Sequence, residues 1–243
     1  MNIRLVGVLA LGAALLAGCD AKNDSVDDLL KDAQQAQVDK REEMLEQLDS
    51  GEGMSPDTEH VGDVAKMLED AAEGSDAQLA ETLNEQAQVL RQLQALVKPY
   101  EDTLNAFSAL GGLDVNTFAS ADDFLARIEL VDQLIAINET MDTGFPELIR
   151  QLGGEPAIID QKLDLIGQIR QSDRELFPSM KRYLEILQAY WDQVAPQESG
   201  DIFFRESVPD EVIQEFNVHA QKIQELSTLQ ITLQRALLML DAP

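Results

Sequence analysis

The feature that most constrains this chain is the recurrence of an apolar residue at every third or fourth position along four long stretches. These stretches cover residues 75–110, 120–143, 156–194 and 209–240. Such spacing places the apolar side chains on one face of an α-helix, and each face must be covered by another helix. Because turns separate the stretches, the sequence predicts an all-α fold, an antiparallel bundle of long helices.

Prolines and glycines inside these stretches predict kinks and one break. Pro99 and Pro178 interrupt two of the apolar faces, and a proline within a helix removes one backbone hydrogen bond and crowds the preceding turn. Gly144 and Pro146 predict the end of the second long helix, followed by a short segment and a turn at residues 153–156. The predicted bundle therefore contains bent helices.

The segment before the bundle, residues 19–74, is strongly acidic and poor in apolar residues. It holds 17 acidic and 5 basic residues. Its periodicity predicts one amphipathic helix that ends near Gly51 and a second that begins at Ser55, with Pro56 at the first helical position. We expect these acidic N-terminal helices to pack weakly on the bundle domain, residues 75–243, or to remain mobile.

The first 18 residues have the organisation of a secretory signal peptide. Arg4 supplies a positive charge, an apolar run follows from Leu5 to Ala17, and small residues precede Cys19. The apolar run has 13 residues, whereas a membrane-spanning helix needs about 20. We therefore expect residues 1–18 to be removed rather than retained as a transmembrane helix.

Cys19, the only cysteine of the chain, follows Leu16, Ala17 and Gly18. This stretch resembles the lipobox of bacterial lipoproteins. The resemblance implies cleavage before Cys19 and attachment of a diacylglyceryl group to its thiol, with the two or more acyl chains that stable anchoring requires. The alternative is a soluble exported protein that is cut by the ordinary signal peptidase and carries a free thiol.

Asp20, next to the lipid-bearing residue, resembles the signal that retains lipoproteins of enterobacteria in the inner membrane. The resemblance implies a chain that is lipid-anchored in the bacterial cell envelope and faces the periplasm, in the inner rather than the outer membrane. A mature chain without further cysteine has neither disulfides nor thiolate metal ligands.

The formal net charge of −27 restricts the possible partners. So acidic a surface repels nucleic acid and anionic lipid headgroups, which argues against both as ligands. Contact with the membrane is therefore expected through the lipid anchor alone, and the expected macromolecular partner is a protein of the envelope.

Arg170 and Asp173 interrupt the apolar face of the third long helix. If this face is buried, the two charges must pair with each other or with polar residues of the other faces, because an isolated buried charge is prohibitively costly. The polar residues available on the other faces are Gln86, Asn138 and Gln230. Such a polar layer either binds a small polar ligand or fixes the register of the helices without binding anything.

The chain has only two histidines, which limits acid–base and metal chemistry. His219, on the apolar face of the last helix, is either a ligand or proton-linked switch, or a histidine hydrogen-bonded at the edge of the core. His60 lies close in sequence to Asp57, Glu59 and Asp63. That stretch is either a divalent metal site or a solvated first helical turn whose acids favour the positive helix end. With no recognisable catalytic motif in the sequence, we predict no catalytic residue, no metal and no cofactor.

Phe203 and Phe204 stand side by side in the connection before the last helix. The pair forms either an exposed contact for a partner protein or the bilayer, or a plug that closes the end of the bundle. The stretches INETMDTGFPELI (137–149) and GDIFFRESVPDEVIQEFN (200–217) resemble an uncharacterised family of helical lipoproteins from enterobacteria. That resemblance implies a helical lipoprotein and no particular reaction.

Together these features predict a non-enzymatic scaffold or adaptor for envelope proteins, held at the membrane by its lipid anchor. The alternative function is that of a small-ligand-binding lipoprotein that uses a polar layer inside the bundle. In that case Arg170, Asp173 and His219 are the candidate ligand-binding residues.

Overall fold

The computed structural model describes residues 24–50, 57–196 and 202–240, most of them in six helices. The helices are α1 (Asp24–Asp49), α2 (Thr58–Glu73), α3 (Ala77–Ala109), α4 (Asp122–Leu152), α5 (Pro156–Tyr190) and α6 (Asp210–Met239). Short 3-10 turns at Val115–Thr117 and Trp191–Gln193 flank α4 and α5, and two strands, β1 (Val194–Pro196) and β2 (Ile202–Phe204), precede α6. The predicted all-α helical bundle is confirmed. In the part of the chain that the structure describes, no helix is both long and apolar enough to cross a membrane.

Cross-helix contacts run in opposite order along neighbouring helices, which makes the bundle antiparallel. Asp132, near the start of α4, pairs with Lys181, near the end of α5, at 2.7 Å. Asp142, later in α4, pairs with Arg174, earlier in α5. The same reversal relates α2 to α3 and α5 to α6. Each helix packs mainly against its neighbours in sequence, and α1 also contacts α6.

The apolar faces of the helices meet in one continuous core, as the spacing of the apolar residues predicts. Burying a large apolar side chain stabilises the fold by about 1.5–3 kcal/mol, so these faces supply most of the driving force. The largest fully buried side chains are Leu68, Leu83, Leu90, Leu93, Leu104, Phe107, Phe124, Leu134, Ile169, Leu176 and Phe177.

The predicted break near residue 144 is wrong, because α4 continues through Gly144 and Pro146. Phe145 and Ile149 keep its apolar face buried across this point, and that burial outweighs the loss of about 3 kcal/mol that an internal proline causes. Gly144 instead serves packing. A Cβ at Gly144 would lie 3.3 Å from Cδ2 of Leu96, so the glycine lets α3 and α4 approach closely.

The other two internal prolines also leave their helices unbroken. α3 continues through Pro99, where the Thr103 hydroxyl donates to the Pro99 carbonyl at 2.7 Å. α5 continues through Pro178, and the Ser179 hydroxyl donates to the carbonyl of Glu175 at 2.8 Å. Side-chain hydroxyls thus bond to backbone carbonyls close to both prolines.

The acidic N-terminal helices lie against the bundle: α2 packs along α3, whereas α1 packs mainly on α2 and has a smaller contact with α6. Val26 and Leu30 of α1 are buried in the common core. Met44 and Leu48, near the other end of α1, form a second cluster with Leu238 of α6. The apolar residues of α1 are few, but their spacing places most of them on one face, where Val26, Leu30, Ala33, Met44 and Leu48 are buried.

A buried polar contact ties the start of α2 to α3. Thr58, fully buried, donates from its hydroxyl and its amide to the carboxylate of Glu101. Gln94 donates from its side-chain amide to the Thr58 carbonyl at 2.8 Å. These bonds partly offset the desolvation cost of burying the Glu101 carboxylate. They also fix the register of α2 on α3.

The connection between α5 and α6 contains a short antiparallel ribbon that the sequence did not predict. Val194 of β1 lies opposite Phe204 of β2, and Ala195 lies opposite Phe203. The sequence predicts an extended, aromatic connection here but gives no alternating pattern long enough to indicate strands. Residues 197–201, between the strands, lie outside the described residues.

Arg127, which sequence reasoning missed, holds the connection between α3 and α4. Its guanidinium donates to the carbonyl of Leu110, to the carbonyl of Asp123 at 3.0 Å and to the Thr117 hydroxyl at 2.8 Å. It also lies 4.0 Å above the ring of Phe118. Burial lowers the pKa of this guanidinium, opposed by the charge of Asp123. One buried cation thus fixes a connection of more than ten residues.

We predict that Arg127→Lys lowers the free energy of unfolding by about 2–4 kcal/mol, because a lysine keeps the charge but cannot make these forked bonds. Urea unfolding measures this change. The control is Arg182→Lys, which replaces an exposed arginine paired with Glu215 and should change stability by about 0.5 kcal/mol or less. Equal effects of the two substitutions would contradict the prediction.

Candidate functional site

Two of the predicted site residues, Cys19 and Asp20, lie outside the described residues. Lipid attachment at Cys19 and membrane sorting through Asp20 therefore stay predictions. The other predicted site residues are described. Arg170 and Asp173 lie in a polar layer inside the bundle, Phe203 and Phe204 lie by an aromatic cluster at one end of it, and His219 lies apart from the layer.

The polar layer is formed by buried side chains from four helices. Arg170 and Asp173 of α5 are joined in it by Asn138 of α4, Gln230 of α6 and Tyr100 of α3, all of them buried. The positions of Arg170 and Asp173 on the apolar face of α5 direct them inward. Of the predicted partners, Gln230 meets Asp173 through its side chain, whereas Asn138 meets Arg170 only through its backbone carbonyl.

Arg170 is held mainly by α4. Its guanidinium donates to the backbone carbonyl of Asn138 and, more weakly, to the sulfur of Met141 at 3.6 Å. Nε lies 3.6 Å from Oδ1 of Asp142, at the edge of the layer. Nη1 lies 3.8 Å from Oδ2 of Asp173. Two carboxylates thus balance one buried cation, and the closer of them also pairs with Arg174.

Asp173 has an unusual environment for a carboxyl group. Its only hydrogen bond to a described residue comes from the side-chain amide of Gln230, 2.6 Å from Oδ1, while Oδ2 accepts none. Burial raises its pKa from the ordinary 3.8 to about 7, although Arg170 and the Gln230 bond act in the opposite direction. Asp173 therefore binds a proton near neutral pH.

Tyr100 is the member of the layer that sequence reasoning missed. Burial raises the pKa of its hydroxyl well above the usual range, and the charge of Asp173 adds to this shift. The hydroxyl makes no hydrogen bond to a described residue, and the ring lies 6.3 Å from that of Phe177. Tyr100 occupies an apolar position of α3, so its spacing indicates only a core residue.

Gln86 does not belong to the layer. It precedes Tyr100 by 14 residues on α3, which corresponds to about 21 Å along the helix axis. Gln86 instead lines a groove between α3 and the end of α4, together with Gln151 and Gly153.

His219 is also separate from the layer. It precedes Gln230 by 11 residues on α6, about 16 Å along the axis. Burial lowers its pKa, and the charges that act on it are those of Glu215, Arg182 and Lys222. Its half-buried position agrees with a histidine at the edge of the core, and its assignment to one ligand site with Arg170 and Asp173 is wrong.

The stretch around His60 forms a capped helix start. Asp57 is the N-cap of α2 and accepts from the His60 amide at 2.9 Å, and its carboxylate pairs with Lys40 of α1 at 2.7 Å. The predicted cap and first helical residue, Ser55 and Pro56, lie outside the described residues. No group of three metal-binding side chains is found in the described ranges.

The aromatic cluster lies where α3 and α5 end and α4 and α6 begin. Phe118 stacks on Phe124 with centroids 4.2 Å apart, and Trp191 meets the edge of Phe124 at 5.1 Å. On the α6 side, Phe216 lies 4.7 Å from Tyr183. These contacts close the end of the bundle.

Phe203 and Phe204 behave differently from each other. Phe204 packs edge-on against Phe216, with centroids 5.0 Å apart, as predicted for a plug. Phe203 points away and is 58% exposed. The alternation of side chains along β2 explains the difference, since successive residues of a strand face opposite sides.

The chain matches no protein-family model, no curated protein and no solved structure. Its function is therefore argued from its own geometry. In that geometry the polar layer holds a proton-binding carboxyl inside the bundle, and the ribbon presents one phenylalanine at the surface.

We predict that Asp173→Asn stabilises the protein above pH 7 and has little effect near pH 4. The folded-state pKa lies above the unfolded value, so the folded state binds more protons between about pH 4 and pH 7, and the stability lost over that range is on the order of 3–4 kcal/mol. Asparagine resembles the protonated acid and can still accept from Gln230.

Chemical unfolding at several pH values tests this prediction. The matched control is Asp164→Asn, the same replacement at an exposed position of the same helix. If the difference in stability between pH 5 and pH 8 is the same in wild type and Asp173→Asn, the layer does not bind a proton as described.

Proposed function

We propose that the chain is a lipid-anchored helical module of the bacterial cell envelope that acts as a non-enzymatic scaffold or adaptor for another envelope protein. The observation that carries this proposal is the exposure of Phe203 on a ribbon fixed at the aromatic end of the bundle. A large aromatic side chain held in solvent by a rigid support is typical of a contact residue for a protein partner.

The ribbon is held firmly enough to preorganise such a contact. Phe204, next to Phe203, is packed on Phe216. The Arg205 amide donates to the carbonyl of Gln193 at 2.9 Å, and the Ser207 hydroxyl donates to the Gln193 side chain at 2.8 Å. A partner that binds Phe203 therefore does not need to order the segment that carries it, which lowers the entropic cost of binding.

Other exposed apolar side chains lie at the same end of the bundle. Leu110 follows α3, Leu125 lies in the first turns of α4, and Val218 lies in the first half of α6. Exposed apolar residues at one end of the bundle support an interaction surface there. We call Phe203 and these three residues the Phe203 end.

The lipid anchor and the charge favour a protein as the partner. An acylated Cys19 would hold the domain at the membrane, while the net charge of −27 keeps its surface away from anionic headgroups and from nucleic acid. Within this proposal the domain faces the periplasm, and Asp20 favours the inner membrane.

We predict that Phe203→Ala abolishes the recovery of a specific envelope protein after crosslinking of intact bacteria. Full-length, lipidated protein is isolated from the crosslinked cells, and the attached proteins are identified by mass spectrometry. Phe203 makes little contact with the fold, so its replacement should leave the unfolding midpoint unchanged.

The matched control is Met239→Ala, which removes an equally exposed apolar side chain at the opposite end of α6. The control should recover the same partner as wild type. Equal recovery of the partner with Phe203→Ala and with Met239→Ala would exclude the Phe203 end as the contact. Recovery of no partner with the wild-type protein would contradict the scaffold function.

The anchor is tested separately. Cys19→Ser should prevent incorporation of labelled palmitate, because serine has no thiol to accept the diacylglyceryl group. Asp20→Ser should keep the label but move the protein from the inner- to the outer-membrane fraction. Unchanged labelling of Cys19→Ser would contradict the lipoprotein assignment, whereas unchanged fractionation of Asp20→Ser would contradict only the sorting role.

The second candidate function is that of a binding protein for a small polar ligand, supported by the unpaired atoms of the polar layer. Oδ1 of Asn138, Oε1 of Gln230 and the Tyr100 hydroxyl are buried and make no hydrogen bond to a described residue. A ligand that supplies donors to these oxygens would relieve the cost of leaving them unpaired.

Native mass spectrometry of protein purified from its own cells tests this candidate. A bound ligand should be retained by wild type and lost from Tyr100→Phe, which removes one hydroxyl and keeps the packing of the ring. Finding wild-type protein without any ligand would exclude this function.

A further inference from the structure

A surface groove between α5 and α6 is used by neither of these proposals. It has a volume of about 420 Å³ and lies along the N-terminal half of α5 and the C-terminal half of α6. Its apolar floor consists of Leu163, Leu226, Leu229 and Leu233. Leu226, the groove residue nearest the start of α6, follows Val218 of the Phe203 end by eight residues, about 12 Å along the axis, so the groove is distinct from the Phe203 end.

The leucines of α6 have the spacing of a helix-packing seam. Leu226, Leu229 and Leu233 are separated by three and four residues, which places them in one row along the helix. Leu233 is buried, but Leu229 remains 45% exposed. The row is therefore covered only in part by α5, and it leaves room for a further helix.

Gly167 gives the groove a second, independent feature. This glycine lies in the interior of α5, where alanine would make the helix more stable. A Cβ at this position would meet nothing within 4 Å, and the backbone there is not left-handed. Neither a turn nor an internal contact accounts for the glycine, and its effect is to leave the α5 backbone open to close approach from outside.

The rim of the groove is polar and includes acids. Asp164 accepts from the neutral side chain of Gln168 at 2.9 Å and makes no ion pair with a described residue. Glu175 pairs with Lys222 across the groove end at 3.0 Å. Gln171 completes the rim. An occupant must therefore combine an apolar row with positively charged or donor groups beside it.

We propose that the α5–α6 groove docks an amphipathic helix of a protein partner, with apolar residues at three- and four-residue spacing and Lys or Arg at the flanking positions. A side chain of that helix inserts over Gly167, between the floor leucines, in the manner of a knob in a hole. A basic residue beside it pairs with Asp164.

A basic amphipathic helix fits this groove better than an acyl chain or a second copy of the chain does. An acyl chain would cover Asp164 and Gln171 without offering them any partner, which is costly. A second copy of the chain would bring another 27 net negative charges to an acidic surface, and like charges oppose such an association.

The test uses a fluorescent 18-residue helical peptide with leucine at the a and d positions and lysine at the e and g positions. Binding to the soluble domain, residues 20–243, is followed by anisotropy and compared with a peptide that carries glutamate in place of lysine. We expect the lysine peptide to bind at least tenfold more tightly than the glutamate peptide.

Gly167→Leu is the decisive variant, because it adds a side chain to the groove at a position where a Cβ meets nothing within 4 Å. We expect it to weaken binding of the lysine peptide at least tenfold and to raise the unfolding midpoint, since leucine favours the helix. Leu229→Gln should weaken binding in the same way. Phe203→Ala, outside the groove, should bind as wild type does, which separates this inference from the scaffold proposal.

Equal binding of the lysine peptide to wild type and Gly167→Leu would overturn the inference, because a non-specific acidic surface binds both equally. A concentration-dependent dimer that Gly167→Leu dissociates would also overturn it and identify a second copy as the occupant. Copurified lipid that is lost in Gly167→Leu would identify an acyl chain instead.

Discussion

The requirement that every apolar helix face be covered determines most of this structure. Each helix meets that requirement with its neighbours in the chain, and α1 also closes against α6. Because the burial of a continuous face contributes many times the cost of one lost backbone hydrogen bond, α3, α4 and α5 all continue through a proline. The same requirement draws the acidic N-terminal helices onto the bundle, although their apolar residues are few.

Residue spacing was sufficient to predict the long helices but not all of their ends. The predicted stretches 75–110 and 209–240 come within one residue of the observed end of α3 at Ala109 and start of α6 at Asp210. Gly144 and Pro146 carry a local signal for a helix end, yet there the buried Phe145 and Ile149 decide the outcome. Whether a glycine or proline ends a helix depends on the residues of other helices that pack against that point. The local positions of glycine and proline do not give that information.

The polar layer also contains residues that their spacing in the sequence could predict and residues that it could not. Arg170 and Asp173 had to meet polar partners if buried, and the side chain of Gln230 is such a partner for Asp173. Arg170 instead bonds to the backbone carbonyl of Asn138, which no residue type predicts. Tyr100 was not predicted, since a tyrosine on an apolar face has the same spacing as any core residue. Gln86 and His219 were assigned to the layer or its function from their faces alone, but they lie at other heights along the bundle. Periodicity defines the face of a residue, whereas its height relative to other helices depends on turns and tertiary packing.

The contact of α1 with α6 has a consequence for the order in which the chain folds. Asp49 and Arg235, which pair across this contact, are separated by 186 residues, whereas the other extensive helix pairings of the described residues join neighbours in sequence. Local contacts form early because they close short loops, and a contact over nearly the whole chain must wait for its last helix. During synthesis the N-terminal end leaves the ribosome first. α1 therefore emerges long before its partner α6, and the acidic charges of this region keep it soluble during that interval.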